Sequence, residues 1–123
     1  MIRWIGILAC LVSTGALAQD ANRIGERAFQ RCYSCHSVVK GETGLSGPNL
    51  HALGDRTIAS DHNFQYSKSF MDFAKRNPRW SPALLDQFLA DPRAVVPGNQ
   101  MGYFGLKDAR KRAAIVAYLL EKK

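Results

Sequence analysis

Cys32 and Cys35 stand three positions apart in "RCYSCHSVV", with His36 directly after the second. Such a trio could be a redox dithiol, part of a zinc site, a structural cross-link, or the attachment point of a group the chain does not encode. A thioredoxin-like dithiol belongs beside a strand in a βαβ unit, and no strand alternation flanks this motif. Structural zinc needs four ligands, whereas the chain after residue 18 adds only His51 and His62 and no second cysteine pair. A plain disulfide in an exported protein would leave His36 without a task. Side chains at i and i+3 project from one helical face, close to the separation of the two vinyl groups along one haem edge. Thioether bonds at Cys32 and Cys35 would hold one haem c covalently, and His36 would reach the iron.

A second axial ligand decides between reactivity and electron transfer. An open iron position admits oxygen or peroxide; a filled one leaves the metal to change oxidation state with little movement of its ligands. Met101 follows "VVPGNQ", where Pro97 and Gly98 bend the chain and could present a ligand from a loop. Met71, in "SFMDFA", lies in a helical pattern beside two phenylalanines and reads as core. His51 and His62 also sit in loops, which keeps a bis-histidine site open. Met101 is the favoured ligand.

Helices must position these groups. Asp20 can cap a first helix whose Ile24, Ala28, Cys32 and Cys35 fall on adjoining positions of one face. A short helix is expected around Ser67 to Lys75. In "WSPALLDQFLADP", Ser81 is the N-cap, Pro82 the first helical position and Pro92 the stop. The last helix starts near Asp108 and carries Ala109, Ala113, Val116 and Leu120 at helical spacing, with Lys122 and Lys123 complementing its C-terminal dipole. The fold class is all-α. From Val38 to Asn63 the pattern is lost among glycines, and ordering so long a loop costs entropy with few backbone bonds in return. Something must fill the middle of the fold.

The N-terminus reads as a cleavable signal peptide over residues 1–18, leaving a single domain over 19–123. Arg3 gives a positive start, Trp4 to Gln19 carries no charge, and Ala16 and Ala18 offer the small residues a signal peptidase requires. That uncharged run is short for a bilayer that takes about 20 helical residues, so no stable membrane insertion is expected. Cleavage would remove Arg3 and Cys10. The whole chain carries a formal net charge of +7, spread along its length, and nothing resembles a nucleic-acid motif.

Taken in order, the motifs resemble the class I cytochromes c of the mitochondrial type and their soluble bacterial relatives, from Gly25 to Leu119. "GERAFQRCYSCHSV" resembles the family's first helix and haem motif, with Gly25 and Phe29 where the family packs against its last helix, here Ile115 and Tyr118 of "AAIVAYLL". "SGPNLHAL" resembles the loop whose proline, Pro48, gives its carbonyl to the proximal histidine's free nitrogen. Arg56, Tyr66 of "NFQYS" and Trp80 match positions whose polar groups hold the haem propionates. "LLDQFLADPRAVVPGNQM" resembles the segment leading to the methionine ligand, Met101. Four residues depart from the pattern, of which Asn99 and Gln100 change the loop immediately before the ligand. Phe88 stands where many members place a tyrosine hydroxyl near the methionine sulfur, and Phe104 is large beside Met101 where the family is often small. The resemblance implies a monomeric, periplasmic one-electron carrier rather than an enzyme. It would dock on membrane or soluble redox proteins through a basic face with Arg31, Arg93 and Lys107 near the exposed haem edge. The rival is a haem peroxidase or gas-binding sensor with a labile sixth ligand.

Overall fold

A computed structural model describes residues Thr14–Glu121. Residues 1–13, which hold most of the expected signal segment, and Lys122 and Lys123 lie outside the described residues. Among the described residues five helices follow in order: α1 (Thr14–Phe29), α2 (Lys68–Arg76), α3 (Pro82–Ala90), α4 (Pro92–Val95) and α5 (Ala109–Glu121), with 3-10 turns at Gln30–Ser34 and Leu53–Asp55. Among the described residues there is no strand, and the fold is all-α. Among them also, no helix is long and apolar enough to cross a membrane.

Local chemistry starts the later helices. Ser67 accepts from the Phe70 amide at 3.2 Å, Ser81 from Leu84 at 3.1 Å and Asp91 from Ala94 at 3.1 Å, each satisfying one of the amides that a helix start leaves unpaired. Pro82 and Pro92 occupy first-turn positions, where a missing N–H costs nothing. Pro92 therefore both ends α3 and opens α4. Asp108 receives the Arg110 and Lys111 amides at 3.0 and 3.1 Å and opens α5.

Helix α1 differs from the sequence expectation. Asp20 lies inside it rather than at its start, and its carboxylate pairs with Arg23 one turn on. Ile24 is 58% exposed, so it does not share the buried face. That face is made by Gly25 and Phe29. A Cβ on Gly25 would lie 2.5 Å from the Tyr118 Cβ and 2.7 Å from the Ala114 carbonyl oxygen, so glycine is what lets α5 cross α1 there. Phe29 is 1% exposed, its ring 5.6 Å from that of Tyr118 and edge-on to Tyr33 at 4.8 Å. Burying one such ring contributes about 1.5–3 kcal/mol.

Two more expected stripes are displaced. In α5 the buried residues are Ile115, Val116, Tyr118 and Leu119, while Ala113 is exposed. The helix is pressed by α1 and by α3 together, which needs a broad apolar face. Met71 is 40% exposed, because Phe73 on the same helix takes the inward direction.

The long loop is ordered by side chains bonding to backbone. Asn49 donates Nδ2 to the Val39 and Glu42 carbonyls at 2.7 and 2.9 Å, while Asp61 accepts from the Asn49 and Asn63 amides at 2.8 and 3.0 Å. Arg56 donates Nε to the His51 carbonyl at 3.0 Å, Nη1 to the Ser60 hydroxyl at 3.0 Å and Nη2 to the Asn49 carbonyl. Leu53 and Ile58 anchor the segment in the core. These bonds supply what helix and sheet ladders would otherwise give.

Candidate functional site

The 3-10 turn after α1 places the cysteine motif. Cys35 and His36 both donate their amides to the Cys32 carbonyl, at 3.1 and 2.9 Å, so the pair lies in a tightened turn beyond α1 and not on α1 itself. Cys32 and Cys35 are free thiols, the first half-buried and the second exposed. Burial, with the Cys35 charge adding to it, pushes the Cys32 thiol up. Hydrogen bonds from Ser46 and Ser34 push Cys35 down.

His36 is buried, and its ring is gripped from two directions. Nδ1 donates to the Pro48 carbonyl at 2.7 Å. Gly47 lies flush against the ring: a Cβ there would come within 2.6 Å of Cε1, 2.8 Å of Nδ1 and 2.9 Å of the Cys35 carbonyl oxygen. Gly47 also donates its amide to that carbonyl at 2.8 Å, which closes the turn. Burial holds the imidazole below its ordinary value, against the opposing effect of the Pro48 bond. Since a carbonyl oxygen only accepts, Nδ1 carries a proton, and in the neutral ring Nε2 keeps a lone pair, with no hydrogen-bond partner among the described residues.

His36 lines a cavity of about 330 Å³ together with, among others, Cys32, Cys35, Pro48 and Met101. Its volume falls at the small end of ligand sites. One wall is aromatic. Rings run from Phe64 to Tyr66 at 4.9 Å, to Phe70 at 5.5 Å, to Phe88 at 6.0 Å and to Trp80 at 5.2 Å. Phe88 is buried in that wall, where its apolar edge serves without a hydroxyl.

The three residues expected to hold acidic groups also line this cavity. Tyr66 accepts from the Asp61 amide at 3.2 Å, which leaves its own O–H to donate. Burial pushes its hydroxyl up, while the neighbouring Asp61 amide and Arg56 pull it down. Trp80 finds no acceptor for its N–H among the described residues. Arg56 has committed three donors to the loop and also interacts with the Tyr66 hydroxyl at the cavity. The residues present fit a covalently held haem: two free thiols, one histidine lone pair, a thioether, an apolar wall and three donors share one cavity. His51, His62 and Met71 do not line it.

Met101 is half-buried and reaches the cavity from an irregular segment between α4 and α5. At its upstream end Asn99 donates Nδ2 to the Pro92 and Val96 carbonyls at 2.9 and 2.8 Å and accepts the Met101 amide at 2.9 Å. Downstream, the Leu106 amide donates to the Leu89 carbonyl at 2.9 Å. Arg112 holds the Leu106 and Lys107 carbonyls at 2.9 and 3.0 Å while pairing with Asp86 at 2.9 Å. Phe104 is 75% exposed, with the Arg93 guanidinium 4.7 Å over its ring. It does not crowd Met101. Gly47 and Asn99 carry no signal of their own in composition; "SGP" and an Asx residue two positions before the methionine are the local cues to them.

No family model matches the chain. Curated relatives do. Over 92 residues the chain is 39% identical to cytochrome c2 iso-2 of Magnetospirillum fulvum, covering 75% of this chain and 92% of that protein. It is 32% identical to cytochrome c2 of Agrobacterium tumefaciens (strain II Chrys) over 96 residues, 78% of this chain and 86% of the other. Among solved structures, cytochrome cH from Methylobacterium extorquens superposes with a TM-score of 0.70 at 32% identity, covering 82% of this chain and 98% of its own.

Proposed function

The chain belongs to the class I cytochromes c, and we propose that it works as a periplasmic one-electron carrier whose haem iron is ligated by His36 and Met101. As a c-type cytochrome it carries electrons on one covalently bound haem c. The observation that carries the finer reading is the single cavity shared by Cys32, Cys35, His36 and Met101.

Bound there, the haem iron supplies the one-electron change between its ferric and ferrous states. Cys32 and Cys35 would hold the haem, each thiol adding across one haem vinyl group to give a thioether. His36 offers Nε2, and the Pro48 carbonyl fixes the ring's tautomer and strengthens it as a donor. Met101 offers a neutral thioether, which favours the ferrous state and raises the potential. Arg56, Tyr66 and Trp80 line the same cavity and would donate to the two acidic substituents of a haem held there, since a buried carboxylate needs donors. The aromatic wall excludes water and works in the same direction as Met101.

Docking uses the basic face. Arg31, Arg93 and Lys107 are exposed. Charge of one sign at this rim speeds encounter with an acidic redox partner. The Arg93–Phe104 stack adds an apolar plane to it.

The test has three readings. Acid acetone should leave the haem on the protein, a redox titration should show one reversible electron, and the secreted form should begin at Gln19. Extractable haem, an irreversible couple, or a periplasmic protein that keeps residues 1–18 would each reject the corresponding part.

A further inference from the structure

We propose that Asn99 is the positioning residue for Met101, holding the ligand segment against α4 so that the sulfur stays at the cavity; the inference rests on the reading of Met101 as an axial ligand. Three bonds meet on this one carboxamide. Its Nδ2 donates to the Pro92 and Val96 carbonyls at 2.9 and 2.8 Å, and its Oδ1 accepts the Met101 amide at 2.9 Å. Its own amide donates to the Val96 carbonyl at 3.1 Å. Both donor hydrogens and an acceptor lone pair of the side chain are thereby used, and only an amide side chain supplies the two kinds of group together.

The carbonyls it caps belong to an anchored element. Pro92 and Val96 are among the most buried residues of the chain, so the carboxamide is tied to core. On the other side of Met101 nothing comparable exists nearby. Gly102 is exposed, and a Cβ there would meet nothing within 4 Å. The next restraints downstream are Gly105, whose φ of +108° sets it against Ala90, and the Leu106 amide on the Leu89 carbonyl. Met101 thus sits at the fixed end of an otherwise open span. Loss of Asn99 would release that end and let an external ligand compete for the iron, with little change in the rest of the fold.

The experiment compares imidazole binding to the ferric holoprotein in wild type, Asn99→Ala, Asn99→Ser, Met101→Ala and Ile115→Val, with the sulfur-to-iron absorption band recorded for each. Asn99→Ala should bind imidazole at least about five-fold more tightly and show a weakened band, the factor that one net hydrogen bond corresponds to. Asn99→Ser, whose hydroxyl can still accept the Met101 amide, should recover part of the difference. Ile115→Val lowers the unfolding midpoint in the α1–α5 core and should leave imidazole binding unchanged. In wild type, hydrogen exchange should find the Met101 amide protected relative to that of Gly102, a result independent of whether any variant folds. Wild-type imidazole affinity and an intact band in Asn99→Ala, or a Met101 amide that exchanges as fast as Gly102, would overturn the proposal while leaving Met101 as ligand. A wild type with no sulfur-to-iron band, binding imidazole like Met101→Ala, would overturn the ligand reading and this proposal with it.

Discussion

On the His36 side of the cavity the ring itself is gripped, by the Pro48 carbonyl at one nitrogen and by Gly47 against its face. On the Met101 side only the backbone is fixed, by Asn99 before it and by Leu106 and Arg112 after it, and the side chain is half-buried on an irregular span. The first arrangement comes from neighbours in sequence, the second from helices α3, α4 and α5 brought in from elsewhere. A histidine has a second nitrogen through which the protein can orient it, whereas a thioether offers no comparable handle. Its segment has to be positioned instead.

Four predictions sharpen or break that comparison. The largest effect is expected at the attachment turn. Cys32→Ser combined with Cys35→Ser should abolish covalent haem altogether, read as loss of haem staining on a denaturing gel. Retained staining would mean that the His36 side does not carry the attachment.

The same substitution placed on each side gives the most direct contrast. Gly47→Ala must force its methyl into His36 and the Cys35 carbonyl, and should lower unfolding free energy by about 1–3 kcal/mol in denaturant titration. Gly102→Ala meets open space and should stay within about 0.5 kcal/mol of wild type. Neither glycine has a positive φ, so packing alone decides the difference. Equal effects would erase the asymmetry.

Smaller effects should appear outside the cavity. Arg93→Glu with Lys107→Glu should slow electron transfer to an acidic partner by about ten-fold at low salt, with the difference shrinking as ionic strength rises. Stopped-flow kinetics across a salt series checks it, and equal rates would remove this face from docking. The smallest effect concerns the downstream anchor of the Met101 span. The Asp108 carboxyl is held below the usual carboxylate range by the Lys111 amide, with the Arg110 amide and the nearby cations contributing. A depressed carboxylate contributes stability that is present above its unfolded value and is lost as pH falls through the native one. Asp108→Asn, which can still accept the same amides, should flatten the acid limb of the stability profile and change neutral stability little.

On the His36 side, Cys32, Cys35 and His36 form one local motif in the sequence, whereas Pro48, twelve residues on, was expected only from the family resemblance, and the structure brings its carbonyl to the His36 ring. The cap at Ser81 is local in the same sense, as are the helix starts near Ser67 and Asp108, whose capping bonds the structure adds. Helix faces were harder. Periodicity finds apolar side chains, and Gly25, which sets the α1–α5 crossing, has none; Ile24 beside it is apolar and exposed. In α5 the alanines match a helical repeat, yet contact with both α1 and α3 selects Ile115, Val116, Tyr118 and Leu119. Arg56 reads in sequence as a loop charge, because the carbonyls of Asn49 and His51 that define its place meet it only once the loop has closed. Asn99 is a visible turn-former two residues before Met101, but its partners are the carbonyls of another helix.

The central claim is that His36 and Met101 hold the two axial positions of one haem. Carbon monoxide binding to the reduced holoprotein tests it most directly, in wild type, Met101→Ala and Met71→Leu. The account predicts that only Met101→Ala binds carbon monoxide readily, while wild type and Met71→Leu, whose methionine is exposed and off the cavity, remain closed. A wild type that binds carbon monoxide as readily as Met101→Ala, or an opening produced by Met71→Leu instead, would contradict it.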